Sequence, residues 1–210
     1  MTSPRGASPI ASNNPERLAL VLASESARRK ALLASAGVFP DAIVPAHLDE
    51  SVHRGEAPRT YALRVAVAKA NSVAAVWQER PAIILAADTV VACGQRILPK
   101  AKNGGEVQRC LELLSGRSHQ VITAVASRKP DARVISRVVM TRVSFARLSP
   151  QAIASYAAGD EGIGKAGGYA IQGIAEAFVR QISGSYSNVV GLPLLHTLNL
   201  LEGCGYPIPW

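Results

Sequence analysis

Cysteine, aromatic residues and paired histidines are scarce in this chain of 210 residues, and each scarcity excludes a kind of site. The three cysteines, Cys93, Cys110 and Cys204, are far apart and lack CxxC spacing. They argue against a disulfide framework or a zinc site and favour a reducing compartment, the cytoplasm. The four histidines form no HxxxH or HxE pair. Aromatic residues make up 5% of the chain and do not alternate with basic residues, which disfavours a single-strand nucleic-acid binder.

Long apolar runs are also missing. The longest stretch without charge, residues 183–201, contains glycines, a proline, asparagines and hydroxyls, so we expect no membrane span. The first 15 residues are rich in Ser, Pro and Asn and have no apolar segment of the kind found in signal peptides. We expect them to be a disordered tail, followed by a single domain over residues 16–205.

Positive charge is in excess, with 23 Lys and Arg against 15 Asp and Glu and a net charge of +8. This excess predicts an anionic partner: a nucleotide, a nucleic acid or a phosphate ester. A basic surface that only keeps the protein soluble is the alternative. The scarcity of aromatic residues favours a free nucleotide and no nucleic acid. The length and the hydrophobic content of 48% predict an α/β or α+β domain with a sizeable core.

One carboxylate interrupts an otherwise apolar run. Residues 82–92 read AIILAADTVVA, which predicts a buried central strand ending at the turn 93–95. Asp88 is the only ionisable residue in this run, and an ionised carboxylate is almost never buried without a partner. We therefore interpret Asp88 as a functional group at the end of a strand, against the alternative of an acid satisfied by local structural partners.

Basic residues crowd the start of the first predicted helix. Arg28, Arg29 and Lys30 follow a strand (17–23) and a serine cap at Ser24 or Ser26. Cations are unfavourable at a helix N-terminus, but a bound phosphate would reverse that penalty. A solvated basic turn is the alternative interpretation.

Further charged residues have two interpretations each. Asp49 and Glu50 follow a predicted strand (39–47) and are either plain loop residues or the source of one metal ligand. Lys69 lies inside a predicted helix (57–78), where a lone lysine is usually solvated. A predicted hairpin would bring Lys100 near the same end of the sheet as Asp88.

The second half of the chain is predicted to supply helices, a long hairpin and a glycine-rich segment. Residues 159–173 hold six glycines with Lys165 and Gln172, which suits either a phosphate-binding loop or a flexible connector. Ser187 or Asn188 could donate to an anion or cap the last helix. The predicted elements are a helix at 106–114, strands at 119–127 and 133–147, a helix from 149–150, a strand at 177–183 and a helix at 193–202.

With these motifs in order, the chain resembles the Maf family of nucleoside triphosphate pyrophosphatases, also called septum formation inhibitor proteins. The resemblance runs from about Leu18 to Leu201. Its blocks are S-E-S-A-R-R (24–29), D-E (49–50), A-K-A (68–70), A-D-T (87–89), L-S-G-R (114–117), T-A-V (123–125), K-A-G-G-Y-A-I-Q-G (165–173) and G-S-Y-S-N-V-V-G-L-P (184–193). Two loops depart from the family: Pro99-Lys100-Ala101 stands where G-K-P is usual, and Gly164 stands where an acid is usual.

The resemblance implies an α/β fold with a mixed sheet, flanking helices and two lobes around a nucleotide-binding cleft, similar to inosine triphosphatase. It implies hydrolysis of a nucleoside triphosphate to the monophosphate and pyrophosphate with Mg²⁺ or Mn²⁺, and a homodimer is common in the family. Asp88 would be the proton acceptor and, with Glu50, a metal ligand. The implied phosphate-binding residues are Ser24, Arg29, Lys69, Lys100 and Lys165.

The resemblance also implies a substrate. Arg28, Thr89 and Gln172 match the branch that acts on dTTP and UTP, and modified pyrimidine nucleotides are a natural extension. A glutamine amide can accept from N3–H and donate to O4 of uracil or thymine. Two other hypotheses remain: a non-catalytic nucleotide-binding regulator of cell division, and a nucleic-acid binder suggested only by the net charge.

Overall fold

The computed structural model describes residues 17–209, and the predicted N-terminal tail lies outside them. The strands are β1 (Ala19–Leu22), β2 (Ala42–Ile43), β3 (Ala82–Cys93), β4 (Arg96–Leu98), β5 (Ser118–Arg128), β6 (Val134–Phe145) and β7 (Val179–Ser183). The helices are α1 (Ala27–Ser35), α2 (Pro58–Val76), α3 (Gly104–Leu114), α4 (Pro150–Ala157), α5 (Tyr186–Val190) and α6 (Leu194–Gly203), with a short 3-10 helix at Ile174–Phe178. None of the helices in this range is long and apolar enough to cross a membrane.

The seven strands form one mixed sheet in the order β2-β1-β3-β5-β6-β7, with β4 paired to β3. β1 runs parallel to β2 and β3, and every other pair is antiparallel. The apolar run of β3 is long because this strand is central and most of its side chains are buried. The predicted mixed sheet with flanking helices is confirmed.

The two faces of the sheet are covered differently. On one face α2 packs over the even-numbered residues of β3, among them Ile84, Ala86 and Val90. On the other face there are two separate apolar clusters. One joins β1 and the first half of β3 to α6, and the other joins the far half of the sheet to α3 and α4. The two clusters are the cores of the two lobes.

The cleft begins where one edge of β3 is left open. β1 pairs with β3 as far as Leu85, and β4 pairs with it from Val91 onward. Between these points β3 has a strand neighbour in the described chain only on its β5 side. Asp88 and Thr89 lie in this interval, and successive side chains of a strand point to opposite faces. Their side chains therefore flank an opening at the edge of the sheet.

Several predicted elements have different bounds in the structure. The second strand shrinks from 39–47 to Ala42–Ile43, because prolines at 40 and 45 flank it and proline cannot donate to a strand ladder. The predicted strand at 177–183 begins only at Val179, after the 3-10 helix. α5 was not predicted. The predicted N-cap of α4 is confirmed, since Ser149 accepts from the backbone N–H of Ala152 at 3.1 Å.

Candidate active site

A cleft of about 480 Å³ lies at the open edge of β3, between the two lobes. Its walls come from the loop after β1, the start of α1, the loop before α2, α2 itself, β3, and the glycine-rich segment. All ten residues predicted from the sequence line this one cleft: Ser24, Arg28, Arg29, Glu50, Lys69, Asp88, Thr89, Lys100, Lys165 and Gln172. Their individual roles remain predictions.

Three charged side chains meet in the inner part of the cleft. Lys69 Nζ lies 2.8 Å from Asp88 Oδ1 and 2.8 Å from Glu50 Oε1. Lys69 is 7% exposed and Asp88 is 2% exposed. The alternative of a solvated Lys69 is therefore excluded, because its position on α2 faces the sheet. Asp88 also lies in the middle of β3 and not at its end, so it is the open edge, and not the end of the strand, that gives it access to the cleft.

Glu50 is held by contacts to two lysines and a tyrosine. Its second carboxylate oxygen accepts from Lys100 Nζ at 2.9 Å, and its backbone carbonyl accepts from the hydroxyl of Tyr61 at 2.8 Å. Burial by itself raises the pKa of Glu50, but hydrogen bonds and charges from Lys69 and Lys100 outweigh it and leave the pKa below its ordinary value. Glu50 is thus kept as a carboxylate facing the cleft, and Lys100 lines the same cleft as Asp88.

Arg29 is held only by neutral oxygens. It donates from Nε to the carbonyl of Gly191 at 2.9 Å, from Nη1 to Ser24 Oγ at 3.1 Å, and from Nη2 to Thr89 Oγ1 at 3.3 Å. Burial lowers the pKa of Arg29, and the nearby charge of Asp88 opposes this shift. Within residues 17–209 no carboxylate forms an ion pair with it. A half-buried guanidinium without a direct counter-charge favours an anionic ligand.

The outer wall carries two more cations and the glutamine. Burial lowers the pKa of Lys165, the charge of Arg28 lowers it further, and Glu161 opposes both. Burial also lowers the pKa of Arg28. Two cations that disfavour each other's charge are stabilised when a polyanion lies between them. The side chain of Gln172 is exposed at the mouth, so its amide can meet a ligand.

Thr89 belongs to a hydrogen-bonded row under the cleft, at the boundary between the two apolar clusters. Its hydroxyl lies 2.9 Å from that of Thr123, its register partner on β5. Thr123 donates to the backbone carbonyl of Asn188 at 3.1 Å. The amide of Asn188 donates to Val121 and Thr141 and is fully buried. Of the two alternatives for Ser187 or Asn188, an anion donor is therefore excluded at Asn188, whereas Ser187 accepts from the backbone N–H of Leu194 at the start of α6.

The profile of the Maf-like protein family matches residues 19–204 of the chain. This chain belongs to the Maf family. The matched range includes all ten of the site residues that were predicted from the sequence and that line the cleft. A protein of Rhodospirillum rubrum named dTTP/UTP pyrophosphatase is 58% identical over 187 residues, which cover 89% of this chain and 88% of the relative. A Caulobacter vibrioides protein of the same name is 54% identical over 188 residues, which cover 90% of this chain and 96% of the relative.

Solved structures give a weaker likeness than these Maf sequences. The Staphylococcus aureus Ham1 protein has a TM-score of 0.43 at 15% identity, over 60% of this chain and 71% of that one. A HAM1 protein from Coxiella burnetii has a TM-score of 0.42 at 18% identity, over 62% of this chain and 74% of that one. Both scores are too low to support a statement about activity.

A divalent cation fits the donor chemistry of this Maf cleft. Glu50 and Asp88 are hard oxygen donors, and one oxygen of each already converges on a single cationic nitrogen, Lys69 Nζ. The described residues contain no group of three or more His, Cys, Asp or Glu side chains placed to hold a metal. A cation held by two carboxylates would take its remaining ligands from phosphate and water, as Mg²⁺ commonly does.

Sequence reasoning missed several residues that support the Maf cleft. Tyr61 positions the backbone of Glu50, and the Gly191 carbonyl orients Arg29. Thr123 was noted only as part of the T-A-V block. Its hydroxyl among the apolar residues of β5 was the sequence signal that indicated a polar contact there. Tyr169, which also lines the cleft, is bonded to the buried His119.

Proposed function

We propose that this Maf protein hydrolyses dTTP and UTP between the α- and β-phosphates, giving the nucleoside monophosphate and pyrophosphate. Modified pyrimidine triphosphates are included as substrates. The observation that carries the proposal is the group of Asp88 and Lys69, both buried, and the partly exposed Glu50 at the open edge of β3. The same cleft holds Arg29, which forms no ion pair with a carboxylate of residues 17–209. The printed names of the relatives from Rhodospirillum rubrum and Caulobacter vibrioides supply the substrate.

In the proposed reaction the oxygen of a water molecule attacks the α-phosphorus. The bond from that phosphorus to the bridging oxygen breaks, and pyrophosphate leaves. Asp88 accepts the proton of the attacking water. Its Oδ1 accepts from Lys69, and no other described residue donates to Oδ2, which leaves that oxygen for the proton.

The triphosphate needs cations that are fixed before it binds. Arg29 is already oriented by its three neutral acceptors, and Lys69, Lys100 and Lys165 add positive charge along the cleft. Such preorganised charge stabilises the charge that develops on phosphoryl oxygens. Glu50 and Asp88 would hold Mg²⁺ or Mn²⁺, which, when bound, supplies Lewis acidity toward phosphoryl oxygens.

Base recognition is assigned to the outer wall. Gln172 can accept from N3–H and donate to O4 of a pyrimidine imide, and Arg28 lines the same cleft. Thr89 contributes through its hydrogen bond with Arg29.

We further propose a cytoplasmic location, which the free thiols of Cys93, Cys110 and Cys204 support. We also propose a homodimer, because homodimers are common in the family, and light scattering tests this oligomeric state.

A nucleotide panel tests this function. Pyrophosphate release from the eight common ribo- and deoxyribonucleoside triphosphates is measured with Mg²⁺ or Mn²⁺, and the nucleoside product is identified. We expect dTTP and UTP to be turned over fastest, each giving a monophosphate. Turnover of another triphosphate without dTTP or UTP would overturn the substrate, and tight binding without turnover would favour the non-catalytic regulator.

The same panel applied to Gln172→Ala tests the assigned base contact. We expect the preference for dTTP and UTP over purine nucleotides to fall by about tenfold, because one good hydrogen-bonding contact to a base is lost. Gln108→Ala is the matched control, since Gln108 is an exposed glutamine on α3 that bonds only to Glu112. An unchanged preference in Gln172→Ala would remove this residue from base recognition.

A further inference from the structure

Two buried polar side chains lie together in an apolar cluster behind the cleft. His119 on β5 is 2% exposed and Tyr169 in the glycine-rich segment is 5% exposed. His119 Nε2 lies 2.8 Å from the hydroxyl of Tyr169. The ring of Phe145 meets both rings edge-on, with centroids 5.0 Å away in each case. An apolar pair would fill this space without the penalty of burying polar atoms, so the hydrogen bond itself calls for an explanation.

Both partners are neutral. Burial lowers the pKa of His119 to about 4 and raises the pKa of Tyr169 far above its ordinary value. A neutral imidazole has one donor and one acceptor nitrogen. Nδ1 of His119 has no hydrogen-bond partner among the described residues, so the bond to Tyr169 is the one polar contact that the imidazole makes. The one hydrogen bond of this buried imidazole among the described residues is therefore the bond to Tyr169.

Tyr169 is the first large side chain after two glycines in left-handed conformations. Gly167 and Gly168 have φ values of +70° and +69°, and a Cβ at Gly168 would come within 3.2 Å of the backbone of Val107 on α3. The glycines let the chain turn against α3, but they do not fix the direction of the chain after the turn. The contacts of Tyr169 with His119 and Phe145 fix that direction.

The residues after Tyr169 are fixed by a second tyrosine. The backbone N–H of Ala170 donates to the hydroxyl of Tyr156 at 3.1 Å, and that hydroxyl donates to Glu161 at 3.0 Å. Glu161 in turn accepts from the backbone N–H of Ile174 at 3.0 Å. The segment that carries Gln172 is thus held on both sides, at 169–170 and at 174. No described residue forms a hydrogen bond with the side chain of Gln172 itself.

We infer that His119 and Tyr169 are a positioning pair that sets the place of Gln172 over the cleft and so the discrimination between pyrimidine and purine nucleotides. This inference rests on the proposed function. Neither residue is given a role in the chemical step. The groups assigned to the triphosphate lie on α1, α2, β3 and the loops at Glu50, Lys100 and Lys165, so a looser 169–174 segment changes base selection and leaves phosphate hydrolysis in place.

Tyr169→Phe is the variant that tests the pair, because it removes one hydroxyl and keeps the aromatic packing. We expect the ratio of kcat/KM for UTP to kcat/KM for GTP to fall by about three- to tenfold, the effect of losing one neutral hydrogen bond. The loss should appear as a higher KM for UTP, with kcat changed by less than about twofold. Tyr206→Phe is the matched control: it removes the hydroxyl of another buried tyrosine, in the cluster around β1 and α6, and should leave the ratio unchanged.

Changes at His119 provide the second arm. His119→Phe should lower the ratio as Tyr169→Phe does, and the double variant should add nothing, since both changes break the same bond. His119→Gln, whose amide can still bond to the hydroxyl, should restore most of the ratio. A ratio that stays at the wild-type value in Tyr169→Phe, even with a lower unfolding midpoint, would show a purely structural role and overturn the inference.

The outcome for the wild-type enzyme separates the two proposals. A wild-type enzyme that prefers UTP over GTP, with a ratio insensitive to Tyr169→Phe and His119→Phe, contradicts the positioning pair alone. A wild-type enzyme without such a preference contradicts the proposed substrate and, with it, this inference. Should Tyr169→Phe fail to fold, the comparison of His119→Gln with His119→Phe decides the question.

Discussion

The ammonium nitrogen of Lys69 lies 2.8 Å from a carboxylate oxygen of Asp88, and both side chains are almost completely buried. Removing one partner from such a pair leaves a buried charge without compensation. Here the damage is limited, because Lys69 also contacts Glu50 at 2.8 Å. The three residues form one electrostatic unit, and changing different members should have different effects.

Replacing Asp88 with asparagine should abolish turnover and preserve the fold. The amide cannot accept the proton of the attacking water, and loss of a general base lowers rates by about 10²- to 10⁴-fold. Lys69 keeps Glu50 as its ion-pair partner, so we expect a loss of only about 1 to 3 kcal/mol in the free energy of unfolding. Pyrophosphate release and urea unfolding measure the two effects.

Asp131→Asn is the control for that variant. Asp131 is an exposed acid in the turn between β5 and β6, where it pairs with Arg133. It should keep full turnover. If Asp88→Asn turned over dTTP or UTP at the wild-type rate, Asp88 would have no part in the mechanism.

Replacing Lys69 with methionine should make stability depend on divalent cations. Glu50 keeps Lys100, but Asp88 is left without an ion-pair partner. We expect a loss of about 3 kcal/mol in the free energy of unfolding, the usual result of breaking a buried pair. Because the two carboxylates then lack their shared cation, Mg²⁺ or Mn²⁺ should restore part of that loss by binding only the folded state.

Thermal unfolding with and without millimolar Mg²⁺ or Mn²⁺ measures this. Lys30→Met removes an exposed lysine from α1 and is the control, for which we expect the small metal response of the wild-type protein. Equal metal responses in the wild-type protein and Lys69→Met would argue that Glu50 and Asp88 do not hold the cation.

Because of His119, the free energy of unfolding should decrease as the pH is lowered from about 6.5 to about 4. The pKa of this imidazole is about 4 in the folded protein, against an ordinary value of 6.5. Below pH 6.5 the unfolded chain therefore takes up a proton that the folded protein refuses, and folding is disfavoured until the pH reaches about 4. The full loss from this group is about 3 kcal/mol.

Urea unfolding at pH 7 and pH 4.5 isolates this effect when wild type is compared with His119→Gln. The variant should lose less stability over this range, whereas His53→Gln, which changes an exposed histidine, should follow the wild-type protein. A His119→Gln curve parallel to that of the wild type would mean that the imidazole is protonated in the folded state.

The longest strands of the sheet could be predicted because local patterns determine them. The apolar run of β3 and the long hairpin of β5 and β6 come from sequence periodicity. α5 could not be predicted in this way, since a helix of five residues shows no periodicity. It depends on Ser185, which accepts from the N–H of Asn188, and on Gly191, whose φ is +129°.

The members of the site could be predicted, but their surroundings could not. Motif order placed ten residues in one cleft, yet the burial of Lys69 depends on the way α2 crosses the sheet. The access of Asp88 depends on where β1 ends and β4 begins. Both are relations between distant segments, and no local pattern carries them.

The bond from Arg29 to the carbonyl of Gly191 joins positions 162 residues apart, and α6 then packs against β1 through one apolar cluster. During synthesis, β1 and α1 leave the ribosome long before Gly191 and α6 exist. A growing chain that has not reached Gly191 cannot orient Arg29, and β1 lacks its α6 cover until residue 201 has emerged. Nucleotide hydrolysis should therefore begin only after Gly191 and α6 have left the ribosome.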